Sequence, residues 1–578
     1  MKDVFGYSDG DATETYLLEV LKQASDVSCG SVQLAKAIRD WPSEYHFSPV
    51  RHNLMRPFEI LPSQQVLELG CGCGAMTRYF GETGAAVVGI EGSKRRAEIA
   101  TERCRDLPNV RIHSDNFIDF RSDEKFDYVT LIGVLEYAPI YIDSPDPIEA
   151  CLKHARSFLK EDGALILAIE NQLGLKYFNG CNEDHRGVPY YGINGLYGSG
   201  EAETFGHRVL AEELRKVGFA VQQFYYPFPD YKVPGLVLSD AAFQRDHLNV
   251  PDLLISNVAR EYPENHRRAF AEDLAWRVVG ENHLIPHLAN SFLVFARKDA
   301  SRSEQPNWLA KMYNRGRRRP CYEVESTIEE DEVGRLVVTK RKLHSDADTH
   351  QNAIRHIVTD STYIKGNLLI GKIHRAMARE AEMEELSACF RPWLDFLMAR
   401  ASTNNAGERV LPGDFADCIP ANLVEGDDDR LHYFDAEWVS GDPVPFSWVV
   451  VRGIIYSLIG CLENSAITGI SYRTLIDRLL GSCGVYFSDH DFKLADEWEF
   501  SMVEQCHIDA IAIPRIAKIL SDPVFSFSRL SSSPDVNRSL VWHKAELARV
   551  KSSVSWRITA PLRVIWNLYL RIMRREKM

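Results

Sequence analysis

The stretch Val66–Gly74 constrains the fold of this chain more than any other, because an apolar run passes directly into the alternating glycines Gly70, Gly72 and Gly74. A short, continuously apolar run is typical of a strand buried on both faces, as in a parallel sheet. Glycines directly after such a strand allow a sharp turn and a close approach of the backbone to a ligand. The pattern therefore predicts a parallel α/β sheet with a ligand at the end of this strand, although a purely structural turn could use the same residues.

The next apolar run, residues 86–90, ends in a carboxylate, Glu91. A carboxylate at the end of the second strand of a Rossmann-type sheet is positioned to hold the hydroxyls of a ribose. The glycine pattern differs from the dinucleotide-binding fingerprint, because Ala75 and Thr77 occupy the positions at which its third glycine would stand. The predicted ligand is therefore a nucleoside compound other than a dinucleotide.

The string ELGCGCG, which begins at Glu68, resembles the first motif of class I S-adenosylmethionine (SAM) methyltransferases. Apolar runs over 110–117, 126–137 and 163–171 resemble the third, fourth and fifth strands of that family, the last one after a turn over 159–163 that ends a helix. The resemblance implies a doubly wound, Rossmann-like sheet with SAM at the carboxyl ends of its strands. The cofactor-binding residues that it implies are Glu68, Gly70, Cys71, Gly72, Gly74, Glu91, Gly92, Asp115, Asn116, Phe117, Gly133, Leu135 and Glu136.

Length and composition exclude several other classes. A chain of 578 residues predicts about two to four domains. The net charge of −14 argues against nucleic-acid binding, and 12 cysteines without a C-x-x-C pair suggest neither a zinc site nor a disulfide framework. We find no secretory signal and no apolar run long enough to cross a bilayer, so we expect a cytoplasmic protein.

The first domain is predicted to span residues 1–300, with a helical cap before the glycine-rich strand. Two late strands joined by a long insertion, 227–288, resemble the antiparallel pair that closes a methyltransferase sheet. Loops of that length are usually functional, so we expect the insertion to cover the substrate side. The other predicted elements are helices over 12–23, 32–40 and 204–219 and strands over 221–226 and 290–298, the last of the sheet.

A second polar cluster follows the predicted fifth strand, where an acceptor would meet the methyl group of SAM. His185, flanked by Glu183 and Asp184, is the candidate catalytic base if the acceptor is a hydroxyl. A phosphate acceptor would need no base but would need cations to hold it. The candidate cations are Lys176, Arg186 and Arg208. Alternatively, His185 and Asp184 only fix a loop through hydrogen bonds.

Three polar residues lie just before the glycine-rich strand. Arg51, Asn53 and Arg56 could reach the carboxylate of SAM or an acidic acceptor. Exposed salt bridges are an equally good interpretation of the same residues.

Beyond residue 300 the sequence changes character. Residues 301–320 are polar and basic and predict a linker. Two apolar runs on either side of a Glu/Asp/Gly turn predict a hairpin over 321–343, which would begin a second domain over 321–545.

The spacing from Asp417 to Asn422, followed by Asp435 after a further apolar run, resembles the catalytic half of kinase-like phosphotransferases. That resemblance implies an α+β kinase-like domain with a hinge over 361–369. In it Asp417 would be the catalytic base, Asn422 and Asp435 would bind Mg²⁺, and Lys340 would bind the phosphates of ATP.

Two departures from that pattern leave the activity of the second domain open. No glycine-rich loop precedes Lys340, and residues 346–357 contain no glutamate that could pair with it. An active kinase, an inactive kinase-like domain and an Asn-capped turn between two strands all agree with the residues.

The C-terminal residues 546–578 form a basic, aromatic and amphipathic tail. This composition suits a helix lying on an anionic membrane surface, and docking onto a partner protein would use it equally well. The string from Ser555 to Arg563 resembles the tails of bacterial O-antigen glycosyltransferases.

The order of the segments resembles bifunctional methyltransferase–kinase enzymes that cap O-antigen chains. The resemblance implies a SAM-dependent O-methyltransferase that acts on the end of a surface polysaccharide, or on its phosphate, with ATP and Mg²⁺ as further cofactors. It also implies polysaccharide glycosyltransferases as partners and a peripheral position on the inner face of the plasma membrane. The alternative is a membrane-recruited scaffold for those glycosyltransferases, with vestigial catalytic domains.

Overall fold

The computed structural model describes residues 8–259, 269–299, 306–314, 318–344, 354–458, 461, 467–510 and 513–524, which all belong to one compact unit. The predicted amphipathic tail over 546–578 lies outside the described residues, as do residues 301–305 and 315–317 of the predicted linker.

Twenty strands are found among the described residues. They are β1 (Gln65–Leu69), β2 (Ala86–Glu91), β3 (Val110–Ser114), β4 (Phe126–Ile132), β5 (Leu159–Glu170), β6 (Val221–Phe228), β7 (Leu236–Ser239), β8 (Ser291–Arg297), β9 (Trp308–Tyr313), β10 (Val324–Glu330), β11 (Leu336–Lys342), β12 (Ile354–His356), β13 (Ser361–Thr362), β14 (Gly366–Leu368), β15 (Ser402–Thr403), β16 (Arg409–Leu411), β17 (Leu423–Gly426), β18 (Leu431–Tyr433), β19 (Trp438–Ser440) and β20 (Val444–Pro445).

The helices in the described part of the chain are α1 (Asp11–Gln23), α2 (Val32–Lys36), α3 (Trp41–Phe47), α4 (Ala75–Glu82), α5 (Lys94–Arg103), α6 (Ala138–Tyr141), α7 (Pro147–Ser157), α8 (Leu175–Phe178), α9 (His207–Lys216), α10 (Val250–Leu254), α11 (Glu272–Glu281), α12 (Ile285–Leu288), α13 (Leu369–Ala378), α14 (Met383–Met398), α15 (Phe446–Leu458), α16 (Tyr472–Ser482), α17 (Asp489–Cys506) and α18 (Ile516–Ser521).

One sheet of 12 strands runs through most of the molecule, in the order β3-β2-β1-β4-β5-β8-β6-β7-β9-β10-β11-β13. The strands β3, β2, β1, β4 and β5 are parallel, and the strand order reverses between β1 and β4. The strand β8 lies antiparallel between β5 and β6, which confirms the predicted antiparallel pair around the long insertion. The result is a Rossmann-like mixed sheet of the class I methyltransferase type, with its switch point between β1 and β4.

The parallel strands β1, β2, β4 and β5 are buried on both faces, as their apolar sequences predict, whereas the edge strand β3 is partly exposed. In β1, Leu67 and Leu69 belong to one hydrophobic cluster and Val66 to another. In β5 the same alternation places Leu165 and Leu167 on one face and Ile166 on the other. Because successive side chains of a strand point to opposite faces, these two clusters are the cores above and below the sheet.

The helical cap packs against the glycine-rich end of the sheet. Leu17 and Leu21 of α1 lie in a third apolar cluster with Phe47 of α3 and Ile99 of α5. The predicted helix over 32–40 is shorter than expected. It ends at Lys36 because Asp40 begins the next helix, where its carboxylate accepts the Ser43 N–H at 3.0 Å in a capping box.

Two predictions for the central sheet are corrected. The predicted turn over 159–163 is the first part of β5, and Gly163 allows it because a Cβ there would lie 2.9 Å from the Phe126 carbonyl oxygen of β4. The predicted strand over 290–298 is present as β8, but it is not the last of the sheet. The strands β9, β10, β11 and β13 continue from the edge of β7.

The second half of the chain therefore begins inside the same sheet. Trp308–Tyr313, which the sequence assigned to a linker, is the strand β9 and pairs with β7 from the insertion. The predicted hairpin over 321–343 is confirmed, because β10 and β11 pair from Val324↔Lys342 to Glu330↔Leu336. The helices α13–α18 and three small sheets follow, and β17 and β18 form a hairpin directly after Asn422. A kinase-like fold for this part stays a prediction.

Candidate functional site

The glycine-rich loop joins β1 to α4 at the switch point of the sheet. Gly70, Gly72 and Gly74 all have positive φ, which side chains other than glycine rarely adopt. At Gly70 a Cβ would also lie 2.7 Å from Val134 Cγ2, in the turn after β4. The loop therefore keeps its backbone open to a ligand and close to the end of the neighbouring strand.

Glu91 ties the second strand to this loop. Its Oε2 accepts the Gly72 N–H at 2.8 Å, and its Oε1 accepts the Ser93 N–H at 2.9 Å. The side chain is buried, so these charge-assisted hydrogen bonds are shielded from water. The carboxylate stands at the end of β2, where the sequence predicts a contact with a ribose.

A cavity opens between the turns after β1, β2 and β4 and the helical cap. The predicted cofactor residues that line it are Glu68, Gly70, Cys71, Gly72, Glu91, Gly92, Phe117 and Gly133. Burial raises the pKa of Glu68 to about 8, against the opposing effect of a hydrogen bond from Thr77. The floor of the cavity therefore carries a neutral carboxyl group at neutral pH.

Other predicted cofactor residues do not line this cavity. Gly74 is the N-cap residue of α4, and Leu135 is fully buried in the core. Asp115 and Asn116 form a local turn after β3, in which the Asp115 carboxylate accepts the Asn116 N–H at 2.8 Å. Glu136 belongs to the neighbouring polar cluster described below.

The helical cap adds groups to the cavity, some of which the sequence did not single out. Arg51 lines it, as predicted, and donates hydrogen bonds to the Tyr231 carbonyl at 2.8 Å and to Tyr45 Oη at 3.0 Å. Asn53 instead fixes the Pro234 carbonyl at 3.0 Å, and Arg56 is not among the lining residues.

His46 and Arg96 also line the cavity, and sequence reasoning missed both. His46 contacts Asp9 from the start of the described chain at 3.0 Å. Burial alone would lower the pKa of His46, but Cys73 and Asp9 raise it to about 9. The sequence offered a signal for Arg96 alone of these two residues. Arg96 follows Glu91 closely in the chain and lies in the first turn of α5, after the Ser93 N-cap.

These groups fit SAM. The cavity offers cationic side chains for an α-carboxylate, a carboxylate for ribose hydroxyls and an exposed glycine backbone for the linking atoms. Its position outside the carboxyl ends of β1 and β4 is the general ligand position of open α/β sheets.

A cluster of acidic and basic side chains lies beside the cavity, beyond the ends of β4 and β5. The backbone N–H of His185 donates to Glu183 Oε2 at 2.9 Å, and His185 Nδ1 lies 3.0 Å from Glu183 Oε1. The other ring nitrogen, Nε2, lies 3.8 Å from Glu136 Oε1. Burial would lower the pKa of His185, but Glu136 and Glu183 raise it well above its usual value. These contacts therefore favour the protonated ring, whereas the predicted role of His185 as a base requires the neutral form.

The cations predicted to hold a phosphate acceptor are each paired with a carboxylate. Lys176 Nζ lies 2.7 Å from Asp184 Oδ2, and Lys232 bridges Asp184 and Glu170. Burial opposes ionisation of Asp184, but Lys176 and Lys232 hold its pKa well below the usual range. Arg186 pairs with Glu201 at 3.2 Å, and the exposed Arg208 pairs with Glu212 at 2.8 Å. The three predicted anchors thus do not converge on one anion site.

The residues predicted to form the second catalytic centre lie near one another. Lys340 on β11 forms an ion pair with Asp435, which has a positive φ of 60°. The Asn422 amide donates to the Asp417 carbonyl at 2.9 Å, and the Asp417 carboxylate pairs with Arg452. Burial raises the pKa of Asp417 against the effect of Arg452, and Asp435 raises it further. Lys340 belongs to this centre and not to the SAM cavity.

Residues 67–165 match a family model described as "Methyltransferase domain". The chain is 32% identical over 108 residues to demethylmenaquinone methyltransferase of Tropheryma whipplei, covering 19% of this chain and 42% of the relative. It is 28% identical over 148 residues to ubiquinone biosynthesis O-methyltransferase of Haemophilus ducreyi, covering 23% of this chain and 59% of the relative. The chain thus spans about half the length of these curated relatives.

Two solved structures resemble parts of the fold. A SAM-dependent methyltransferase from Archaeoglobus fulgidus shares 16% identity and a TM-score of 0.27, over 43% of this chain and 93% of its own. A 1,6-didemethyltoxoflavin-N1-methyltransferase from Burkholderia thailandensis, solved with S-adenosylhomocysteine, shares 15% identity and a TM-score of 0.25, over 45% of this chain and 81% of its own. The match over 67–165, which contains the glycine-rich loop and the parallel strands around it, identifies a methyltransferase domain in this part of the chain.

Proposed function

We propose that the protein is a SAM-dependent O-methyltransferase whose acceptor is the end of a surface polysaccharide of the O-antigen type. The observation that carries the proposal is the polar cluster around His185 and Glu136, directly beside the cavity for SAM. When bound, SAM supplies an electrophilic methyl group. The glycine-rich loop and Glu91 hold the cofactor, and the cluster presents the acceptor oxygen to the methyl group.

The polarity of the cluster supports a hydroxyl-rich acceptor. The names of these two relatives concern quinones, which are largely apolar substrates. The cluster proposed to meet the acceptor contains Glu136, Glu170, Asp184 and Lys232, polar groups that an apolar ring could not satisfy by hydrogen bonds. Sugar hydroxyls can satisfy such groups by hydrogen bonds, and the glycan itself is suggested by the sequence resemblance.

The first experiment measures SAM binding by calorimetry. Gly72→Arg should abolish binding, because a side chain at Gly72 would start 3.0 Å from Arg96 and would have to adopt a left-handed backbone. Gly407→Arg is the matched control, since Gly407 also has positive φ (81°) but open space around its Cβ position. Equal SAM affinity of the Gly72→Arg and Gly407→Arg variants would refute the cofactor site.

The second experiment identifies the acceptor by mass spectrometry. Purified protein and SAM are incubated with O-antigen oligosaccharides, with and without a terminal phosphate, and with a demethylated quinone precursor. We expect the mass of one methyl group on an oligosaccharide only. Methylation of the quinone alone would contradict the glycan, and no methylation of any acceptor would favour a vestigial, scaffold-type protein.

We further propose that the centre around Lys340 and Asp435 transfers phosphate from ATP to the same acceptor. The supporting observation is the ion pair between these residues, which the sequence resemblance assigns to the phosphates and to Mg²⁺. The Asn422 amide nitrogen is already bonded to Asp417, so its oxygen is the atom that would face a metal ion.

This second activity is tested by ATP turnover in the presence of Mg²⁺ and oligosaccharide. Asp435→Asn and Asp417→Ala should each lower turnover by about a hundredfold or more, as expected for loss of electrostatic stabilisation at the transferred phosphate. Asp428→Asn, an exposed carboxylate that pairs with His432, is the control. Turnover that survives Asp417→Ala would exclude this residue as the base.

The remaining proposals concern location and partners. Among the described residues, no helix is both long and apolar enough to cross a membrane. We propose that the protein acts in the cytoplasm at the inner face of the plasma membrane, where the basic tail binds anionic lipids and polysaccharide glycosyltransferases. Cosedimentation with vesicles of phosphatidylglycerol should be lost when residues 546–578 are deleted, and unchanged cosedimentation would contradict the role of the tail.

A further inference from the structure

Three potential ligand atoms converge beside the SAM cavity. Glu136, Glu170 and His185 each offer one ligand atom, and the three atoms lie within 4.8 Å of one another. They come from three separate segments: the turn after β4, the end of β5 and the loop after α8. The fold thus brings together a nitrogen and two carboxylates that are distant in the sequence.

Two oxygens of this cluster have no hydrogen-bond partner among the residues that the structure describes. They are Glu136 Oε2 and Glu170 Oε2, both are buried, and each residue is only 1% exposed. A buried carboxylate oxygen without a donor costs free energy, so such an atom in a folded protein indicates a missing ligand or ion. Two of them side by side with an imidazole indicate a ligand that interacts with all three groups.

Neighbouring groups orient two of the three side chains as they would around a metal ion. His185 Nδ1 lies 3.0 Å from Glu183 Oε1, and its Nε2 lies 3.8 Å from Glu136 Oε1. Lys232 contacts Glu170 Oε1, so Glu170 Oε2 is the oxygen left for a ligand. A carboxylate on the far nitrogen of a ligating histidine and a donor on the second oxygen of a ligating carboxylate are the usual outer contacts of a metal site.

The charges of the cluster also leave room for a cation. The carboxylates of Glu136, Glu170, Glu183 and Asp184 lie together with the ammonium groups of Lys176 and Lys232. The four carboxyl groups outnumber the two ammonium groups, and all of these side chains are largely buried. A divalent ion is a suitable partner for such a surplus of buried acidic groups.

We propose that Glu136, Glu170 and His185 Nε2 bind one divalent cation of the Mg²⁺/Mn²⁺ class, which holds the acceptor hydroxyl for methyl transfer. Three protein ligands of mixed oxygen and nitrogen type leave positions open for acceptor oxygens. The site adjoins the SAM cavity, because a Cβ at Gly133, which lines that cavity, would lie only 3.6 Å from Glu136 Oε1. This inference rests on the proposed O-methyltransferase function.

The cation changes how the acceptor is activated. A hydroxyl bound to a divalent ion loses its proton more readily, so the proton can leave to water without a dedicated base. The oxygen then forms a bond to the methyl carbon as the carbon–sulfur bond breaks, which leaves S-adenosylhomocysteine and the methyl ether. His185 acts here as a ligand and not as the proton acceptor that the sequence suggests.

The test measures binding of Mn²⁺ to the full chain after removal of metal ions with EDTA. An Asp435→Asn background excludes a contribution from the proposed phosphoryl-transfer centre. We expect one bound Mn²⁺ by electron paramagnetic resonance and an affinity at least tenfold lower after Glu170→Gln. Asp428→Asn, at the exposed carboxylate–histidine pair with His432, should leave the affinity unchanged.

Two further measurements guard against a folding defect and separate the two proposals. Retained SAM affinity shows that the Glu170→Gln variant is folded. The Asp435→Asn protein keeps all three ligands, so pulsed electron paramagnetic resonance of its bound Mn²⁺ should detect nitrogen coupling from His185. Absence of bound Mn²⁺ or of that coupling, or an unchanged affinity in Glu170→Gln, would overturn the metal site and leave SAM-dependent transfer standing. The proposed function would instead be overturned if Mn²⁺ binds specifically but no oligosaccharide is methylated, whether or not the ion is added to the reaction.

Discussion

Both oxygens of the Glu91 carboxylate accept backbone N–H groups, one from the glycine-rich loop and one from the start of α5. The residue therefore shapes the cavity before any cofactor arrives. Its neighbour on β1, Glu68, is buried in the same cavity but holds its carboxyl group in the neutral form. The two carboxyl groups of one site thus differ in their hydrogen bonds, because Glu91 accepts backbone donors at both oxygens and Glu68 accepts the Thr77 hydroxyl.

Glu91→Ala should weaken SAM binding by about a hundredfold, because each hydrogen bond to a charged group contributes about 1.5–3 kcal/mol and at least one is lost together with the ribose contact. Calorimetric titration with SAM measures the change. Glu98→Ala, on the exposed face of α5, is the matched control and should bind normally. A Glu91→Ala affinity within twofold of that control would show that Glu91 does not contact the cofactor.

Glu68 makes stability depend on pH. Its pKa is about 8 in the folded protein against a model-peptide value of 4.5, so the stability it contributes is complete below pH 4.5 and declines as the pH rises to about 8. At about 1.4 kcal/mol for each pKa unit, the decline is on the order of 3–5 kcal/mol. The Glu68→Gln substitution removes this dependence of stability on pH.

Thermal unfolding at pH 5 and pH 8 measures this effect. The unfolding temperature of the Glu68→Gln variant, expressed relative to that of the natural protein, should be higher at pH 8 than at pH 5. The prediction is wrong if the difference between the two proteins is the same at both pH values.

At the scale of elements, the insertion between β6 and β8 packs against the second half of the chain. Asp252 of α10 accepts the Leu368 N–H at 2.6 Å and pairs with Arg277 of α11 at 2.7 Å. The side chain of Asn249 donates to the Gly366 carbonyl at 2.8 Å. The insertion therefore supports β14, the predicted hinge, in addition to its expected position near the acceptor.

Asp252→Ala should lower the free energy of unfolding by about 2 kcal/mol, because it leaves the part-buried Leu368 N–H without its acceptor and removes the ion pair with Arg277. Denaturant unfolding followed by circular dichroism gives the value. Asp477→Ala, which removes an exposed pair with Arg473 on α16, should cost less than about 1 kcal/mol. Equal losses in the two variants would contradict a supporting role of Asp252.

The elements that sequence patterns predicted are those defined by local signals. Continuous apolar runs predicted β1, β2 and β4, because burial on both faces requires apolar residues. The glycine-rich string predicted the loop, because positive φ favours glycine. The strands β7 and β9 were not predicted. Each is short, and what makes it a strand is a partner far away in the chain, which no local pattern records.

The candidate site divides in the same way. The glycines, Glu91 and Gly133 follow strand ends and were predicted to face SAM. The contributions of His46 and Arg96 depend on how the helical cap packs over the loop, and the pairing of Lys176 with Asp184 depends on loop geometry. Neither arrangement follows from spacing in the sequence.

At the scale of the whole molecule, one sheet contains both the SAM-binding strands and the strand of Lys340. The joint is the pairing of β7 with β9, where Leu236 and Leu238 are fully buried and the Ser239 hydroxyl donates to the Trp308 carbonyl at 2.9 Å. The methyltransferase half therefore depends on residues beyond its own sequence match.

A fragment that ends at residue 299 should aggregate, because the outer edge of β7 would be left unpaired and its buried leucines exposed. A fragment that ends at residue 344 restores β9, β10 and β11 and should be more soluble. Size-exclusion chromatography and SAM titration compare the two. A monomeric 1–299 fragment with full SAM affinity would show that the joint is dispensable.

The pairing of β7 with β9 has a consequence for how a long acceptor is handled. Hydrogen-bonded strands hold the two proposed centres at a fixed separation, so neither can swing toward the other as separate domains on a flexible tether would. A polymer end that receives a phosphate at one centre and a methyl group at the other must itself travel across the surface between them, and the timing of the two modifications is then set by diffusion of the substrate.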